Sequence, residues 1–372
     1  MIVLGIAMLV ISHTLSFKGT ATGAQVGIAL NVVLQANSFL LRLIEAWTNL
    51  ETSFGAISRL CAFEKNTQSE VKPGEDHQPP YLWPARGDIC FDNMSVAYNH
   101  GTLALKSVTL SIAPGNKVGI CGRTGSGKSS ILLSLLRLVE IESGTASIDN
   151  VDLRKLSRNS IRFRLITVPQ DPLLILTDTV RQNLDIANSA LTDEDIIRVL
   201  KRVKLWSVFQ SRVSNAEIAG KQARELDAAM GGESSVEALS VAHDPDLNYS
   251  RRDPSTTSCL NIIMKSVPLS QGQLQLFSLA RAILMRPTRG KIVLLDEATS
   301  NVDNETDKLM QMLIREEFKE HTILTVAHRL DTIMDSDIVL VVDGGKLVEV
   351  GTPSELVERD LCLFRTLLGT SG

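Results

Sequence analysis

The residues whose types and spacing most clearly imply chemistry are Gly122, Gly127, Lys128 and Ser129, within the string GRTGSGKSS that runs from Gly122 to Ser130. Glycines at this spacing let backbone N–H groups curl around phosphate oxygens, and a helix starting just beyond adds its positive end. Thr124, Gly125, Ser126 and Ser130 would complete such a cradle, with Lys128 reaching the β- and γ-phosphates and Ser129 ligating magnesium. The string follows the apolar run Lys117 to Cys121 and precedes ILLSLLRLV, so the order is strand, glycine loop, helix. In any other context the same letters could be a flexible glycine turn.

A phosphate cradle needs a carboxylate to hold the metal and a base to activate water. The string KIVLLDEATS places Asp296 and Glu297 after four apolar residues, Ile292 to Leu295. Asp296 is suited to magnesium, directly or through water, and Glu297 to polarising an attacking water. An acidic pair after a strand also serves as a plain helix cap; the glycine loop upstream favours the chemical role.

Between these lies LSQGQLQLFSLARAIL, Leu269 to Leu284. With it the sequence resembles the nucleotide-binding domain of ATP-binding cassette (ABC) transporters: Ser270, Gln271, Gly272 and Gln273 fit a variant of the LSGGQ signature. The other family motifs follow in the expected order. Tyr98 matches the aromatic residue that stacks on adenine, Gln170 in VPQDP the Q-loop, Asp303 in SNVD the D-loop, and His328 in VAHRL the switch histidine. The strings WP (Trp83, Pro84), GRTGSGKSS and DEATSNVD look most like the second nucleotide-binding domain of subfamily C, the multidrug-resistance-associated class. The resemblance implies ATP and Mg2+ as ligands, Gln170 as a further magnesium contact, Glu297, His328 and Gln170 as catalytic residues, and a second cassette as partner, since each signature faces the γ-phosphate held by the opposite domain. Single residues have plainer uses too. Tyr98 ends a strand expected from Ile89, His328 is also suited to a core or a helix cap, and Asp303 is equally suited to capping the helix that begins near Asn304.

These residues require an α/β frame. The expected fold is a P-loop NTPase (RecA-like) cassette with a mostly parallel central sheet, an antiparallel β subdomain from Ile89 to Ile112 and an α-helical subdomain from about Val180 to Met285, preceded by a partial transmembrane helical hairpin. After His328, DIVLVVDGGKLVEVGTP reads as two strands joined at Gly344-Gly345. From Met1 to Leu41 the only charged residue is Lys18. Two apolar segments flank a polar link there: Met1 to Leu15, about 20 Å as a helix and too short to cross, and Ala24 to Ile44, long enough for a hydrocarbon core of roughly 30 Å. Gln25, Asn31, Gln35, Asn37 and Ser38 in the second segment favour a helix facing other helices or a translocation path. The pattern Leu43, Ile44, Trp47, Leu50, Phe54, Ile57, Leu60 extends it as a stalk.

The resulting organisation is residues 1–63 as a partial transmembrane domain, 64–84 as a Pro- and charge-rich linker, and 85–372 as the cassette, with 221–267 a disordered insertion. That insertion is expected to be either a regulatory loop or translated intron sequence. A chain of 372 residues suggests about two domains, and with a net charge of −4 it has no basic excess for nucleic acid. Five scattered cysteines with no C-x-x-C pair suggest neither zinc nor disulfides. The leading expectation is an ATP-hydrolysing part of a multi-pass membrane exporter, its cassette cytoplasmic, its other partners membrane lipid and an unidentified transported substrate. Set against it are a non-transporting ATP-binding fragment and, less favoured because of the uncharged N-terminus, a soluble cassette ATPase. One cassette behind the end of a membrane domain reads as a C-terminal fragment of a longer transporter.

Overall fold

The computed structural model describes residues 13, 23–67, 69–70, 72–98, 102–186, 191–212, 259–299, 302–327, 329–359 and 362–370. They fall into two compact units, Met1–Lys72 and Pro73–Gly372.

The first unit is built on α1, Gly23–Asn66, one helix of 44 residues. Its hydroxyls turn inward: Ser38, Thr48, Thr52 and Ser53 each donate to the carbonyl four residues back, at 2.8 to 3.2 Å, so these side chains need no outside partner. Large apolar residues such as Trp47, Phe54 and Phe63 are exposed along it. Among the described residues no helix is long and apolar enough to cross a membrane. The spanning helix expected at residues 24–44 is therefore present as a helix only, because Gln25, Asn31, Gln35, Asn37 and Ser38 dilute its apolarity. The first apolar segment, Met1 to Leu15, lies outside the described residues except at His13.

The boundary between the units falls inside the expected linker, at 72/73 rather than 84/85. Helix α1 takes in residues 64–66. From Glu75 onward the segment is part of the second unit. The Glu75 carboxylate is buried between Arg137 and Arg158, at 2.7 and 3.0 Å, and the Trp83 indole N–H donates to the Ile148 carbonyl at 2.9 Å. Proline and charge marked a linker, but the arginines that fix Glu75 are more than 60 residues away in sequence.

The second unit contains two sheets. Strands β1 (Ile89–Ala97), β2 (Leu103–Ile112), β4 (Glu140–Ile148) and β5 (Val151–Asp152) form an antiparallel sheet in the order β2-β1-β4-β5. Strands β3 (Lys117–Gly122), β6 (Ile166–Val168), β7 (Ile292–Asp296), β8 (Thr322–Val326), β9 (Ile338–Asp343) and β10 (Lys346–Gly351) form the second, in the order β10-β9-β3-β8-β7-β6. All its neighbours are parallel except β10 on β9. Strand β7 shows why IVLL reads as an unbroken apolar run: Val293 and Leu295 enter the core of the helical subdomain, while Ile292 and Leu294 enter the core shared with the antiparallel sheet. The expected cassette, with its mostly parallel sheet and the β9–β10 hairpin, is thus borne out, whereas the antiparallel sheet, expected over Ile89–Ile112, also takes in β4 and β5.

Helices α2 (Lys128–Leu135) and α3 (Arg158–Arg164) follow the glycine loop and β5. The helical subdomain is carried by α4 (Val180–Leu184), α5 (Asp193–Arg202) and α6 (Gln271–Met285), with Phe209 and Phe277 edge to face at 6.2 Å in its core. One expectation needs correcting. Residues 221–258 lie outside the described residues, but 259–267, read as the end of the insertion, are packed: Cys259, Leu260, Met264 and Val267 are buried in this core. Backbone bonds Val180 N–H to Ile262 O and Met264 N–H to Asp178 O, both 2.9 Å, fasten the segment beside α4. A non-periodic string can fold when its partner strand is supplied from a distance. Further helices are α7 (Asn304–Glu317), α8 (Pro353–Glu358) and α9 (Leu363–Thr370).

Candidate nucleotide site

Parallel pairing brings the C-terminal ends of β3, β6, β7 and β8 to one edge of the sheet, where such folds bind ligands. The glycine loop leaves β3 there, Gln170 follows β6, and Asp296 and Glu297 end β7. Two glycines in the loop are demanded by geometry. Gly122 has φ +150°, and a Cβ on it would lie 2.1 Å from the Val342 carbonyl oxygen. Gly127, at φ +106°, caps α2, and a Cβ there would come within 2.8 Å of the Ala104 carbonyl oxygen. The loop is braced from β9–β10: the Gly345 N–H donates to Ser126 O at 2.9 Å and the Lys106 N–H to Gly345 O at 2.7 Å.

The charged groups are held ready. The Lys128 ammonium donates to the Gly122 and Arg123 carbonyls at 3.0 and 3.2 Å and is almost fully buried. The Ser129 hydroxyl donates to Asp296 Oδ1 at 3.1 Å. Burial raises the Asp296 carboxyl above the usual carboxylate value; the Ser129 bond opposes this and the neighbouring Glu297 charge adds to it. Glu297 has φ +47°, an unusual left-handed conformation for that residue, and its N–H donates to Val326 O at 3.0 Å. The Tyr98 hydroxyl lies 3.0 Å from Ser130 Oγ.

One cleft of about 800 Å3 gathers Tyr98, Thr124, Gly125, Gly127, Lys128, Ser129, Ser130, Gln170 and Glu297. Ser126 Oγ, buried beside it, has no hydrogen-bond partner among the described residues. A buried hydroxyl without a partner, glycines that admit no Cβ and a lysine resting on carbonyls all fit a triphosphate. Thr102, Leu103, Ala104, Lys106, Gly344 and Gly345 also line the cleft. The sequence reading missed them. Gly344-Gly345 was visible as a turn, but not as a brace for a loop over 200 residues earlier.

The signature residues are elsewhere: none of Ser270, Gln271, Gly272, Gln273 or Asp303 lines this cleft. Ser270 and Gln273 form a reciprocal cap at the start of α6, with N–H to oxygen distances of 3.0 and 3.3 Å. Asp303 caps α7 through the Thr306 N–H and hydroxyl, at 3.0 and 2.8 Å, and these bonds hold its carboxyl below the usual range. A Cβ on Gly272 would lie 3.5 Å from Asp303 Oδ1, so signature and D-loop adjoin. His328 lies outside the described residues.

The fold and cleft define a P-loop NTPase. Comparison narrows this: residues 105–237 match the family model described as ABC transporter. The chain is 41% identical over its whole length to the ABC multidrug transporter B of Aspergillus fumigatus, of which it covers 22%. It is 36% identical to the ABC transporter C family member 5 of Dictyostelium discoideum, over 94% of this chain and 21% of that protein. In fold it matches a bacterial Atm1-family ABC exporter with ATP bound, with a TM-score of 0.70 at 23% identity, over all of this chain and 56% of the other. The cassette is an ABC transporter nucleotide-binding domain. The chain spans about a fifth of the length of these curated relatives.

Proposed function

We propose that this chain is an ATP-hydrolysing part of an ABC exporter of subfamily C type. The observation that carries the reading is the one cleft uniting Lys128, Ser129, Gln170, Glu297 and Tyr98, with Asp296 bonded to Ser129. Tyr98 offers its ring to adenine and the loop amides take the phosphates. Lys128 exchanges its two carbonyl partners for β- and γ-phosphate oxygens, a stronger charge-assisted contact. Magnesium, when bound, neutralises the developing charge on the phosphates; Ser129, Asp296 and Gln170 are the groups placed to hold it. Glu297, aimed into the cleft by its left-handed backbone, takes a proton from the attacking water. His328 is assigned to the γ-phosphate on its motif alone.

The signature lies outside the chain's own cleft, which supports a second cassette as the partner that completes each site. Residues 1–63 are assigned to the membrane part on their near absence of charge up to Leu41 and the inward-turned hydroxyls of α1. Lipid contact, a multi-pass membrane location and a transported substrate follow from that assignment. The WP and DEATSNVD strings and the likeness to a C family member support subfamily C.

The test is ATPase activity of the purified chain in detergent, beside Glu297→Gln. Removing a general base lowers turnover about 10²- to 10⁴-fold while ATP binding persists. Equal turnover by both proteins would refute the role of Glu297. Binding without turnover by a monomeric wild-type chain would favour the fragment reading.

A further inference from the structure

The segment after β6 is suspended from the signature helix. Gln275, only 2% exposed, donates its side-chain amide to the backbone carbonyl of Gln170. Six residues on, Arg281 donates to the carbonyls of Leu173, at 3.1 Å, and Asn183, at 2.9 Å. Asn183 in turn holds Ile175 through both its amide N–H and its carbonyl oxygen. Residues 170–183 are thus pinned to α6 at three carbonyls. Gln170 also lines the nucleotide cleft, whereas Ser270, five residues before Gln275 and roughly 7 Å along the helix axis, does not.

We propose that Gln275 is a positioning residue that carries nucleotide occupancy from Gln170 to the Ser270–Gln273 end of α6. The inference rests on the nucleotide reading above. A helix is stiff along its axis, so a carbonyl clamped to its second turn moves its first turn with it. Gln275 is clamped there by one bond. Its Oε1 is buried and has no partner among the described residues, so the amide can follow the carbonyl without breaking a second contact. A merely structural glutamine in this core would be expected to have both ends satisfied.

The test is hydrogen exchange of the full chain with and without MgATP, read on peptides covering residues 168–173 and 271–280, with ATP affinity measured in parallel. In the wild type MgATP alters exchange in both peptides. In Gln275→Met, of similar length but without the amide, affinity stays within about twofold and the 168–173 response is retained, while the 271–280 response falls by about half or more, the Arg281 bonds to Leu173 and Asn183 remaining. Gln275→Asn, polar but too short to reach the Gln170 carbonyl, serves as a second variant that does not depend on the first one folding, and it gives the same drop. An unchanged 271–280 response in either variant overturns the proposal. Loss of ATP binding in Gln275→Met also overturns it, making Gln275 a support of the cleft itself. No MgATP binding by the wild type would refute the nucleotide reading, an outcome distinct from any of these.

Discussion

Lys128 sits on two loop carbonyls that a neutral side chain would leave unpaired, and among the described residues no other side-chain ammonium is as deeply buried beside the glycine loop. Lys128→Ala is expected to weaken ATP binding about 10- to 100-fold, the equivalent of one or two charge-assisted hydrogen bonds. Titration with a fluorescent ATP analogue measures this; unchanged affinity would remove the lysine from the site. At this scale the sequence was most legible where a residue's role is local. Gly122 and Gly127 were identifiable because the loop needs their backbone freedom. The left-handed φ of Glu297, the partnerless Ser126 hydroxyl and the latch at Gln275 were not, because each is imposed by atoms distant in sequence.

At the scale of elements, the segment 259–267 separates pattern from packing. Leu260 is 1% exposed, so Leu260→Ala should cost about 2–5 kcal/mol as a buried cavity. Urea denaturation reads this directly; the same substitution in a loose insertion would leave the midpoint unmoved. The turn after α7 supplies a second case. His321 packs edge to face on Phe318 at 5.3 Å. Burial first, then the positive charges of Arg286 and Lys291, push its imidazole from the ordinary 6.5 down to about 4. The folded chain therefore keeps His321 neutral while the unfolded chain takes up a proton below about pH 6.5. Stability is fully present above that pH and lost as pH falls toward about 4, by on the order of 2–3 kcal/mol. Denaturation midpoints of wild type and His321→Gln at pH 7 and pH 5 test it, the variant losing less.

At the scale of the whole molecule, the cleft and the signature are separate halves. If two chains combine so that each signature completes the other's cleft, a chain bearing Glu297→Gln and a chain bearing Ser270→Arg are each inactive alone. Mixed, they form a dimer in which one site keeps an intact Glu297 and an intact signature. Roughly a quarter of wild-type turnover is expected to return at equal mixing, since half the dimers are mixed and each has one working site. No recovery, with mixed dimers present by native mass spectrometry, would show that the two halves do not complement one another.

By itself the sequence determined the cassette class, the succession of strand, glycine loop and helix, and the phosphate-loop and catalytic groups of the cleft, because these depend on spacings of a few residues and on apolar periodicity. Tertiary structure decided what depends on distant partners. The Arg137 and Arg158 guanidiniums convert Glu75 from a linker residue into an anchor. The strand ends of β7 and β8 fix the backbone of Glu297. The signature helix holds the Gln170 carbonyl through Gln275. Each couples residues 29 to 105 positions apart, and no local pattern encodes a contact whose other half is supplied only when the sheet closes.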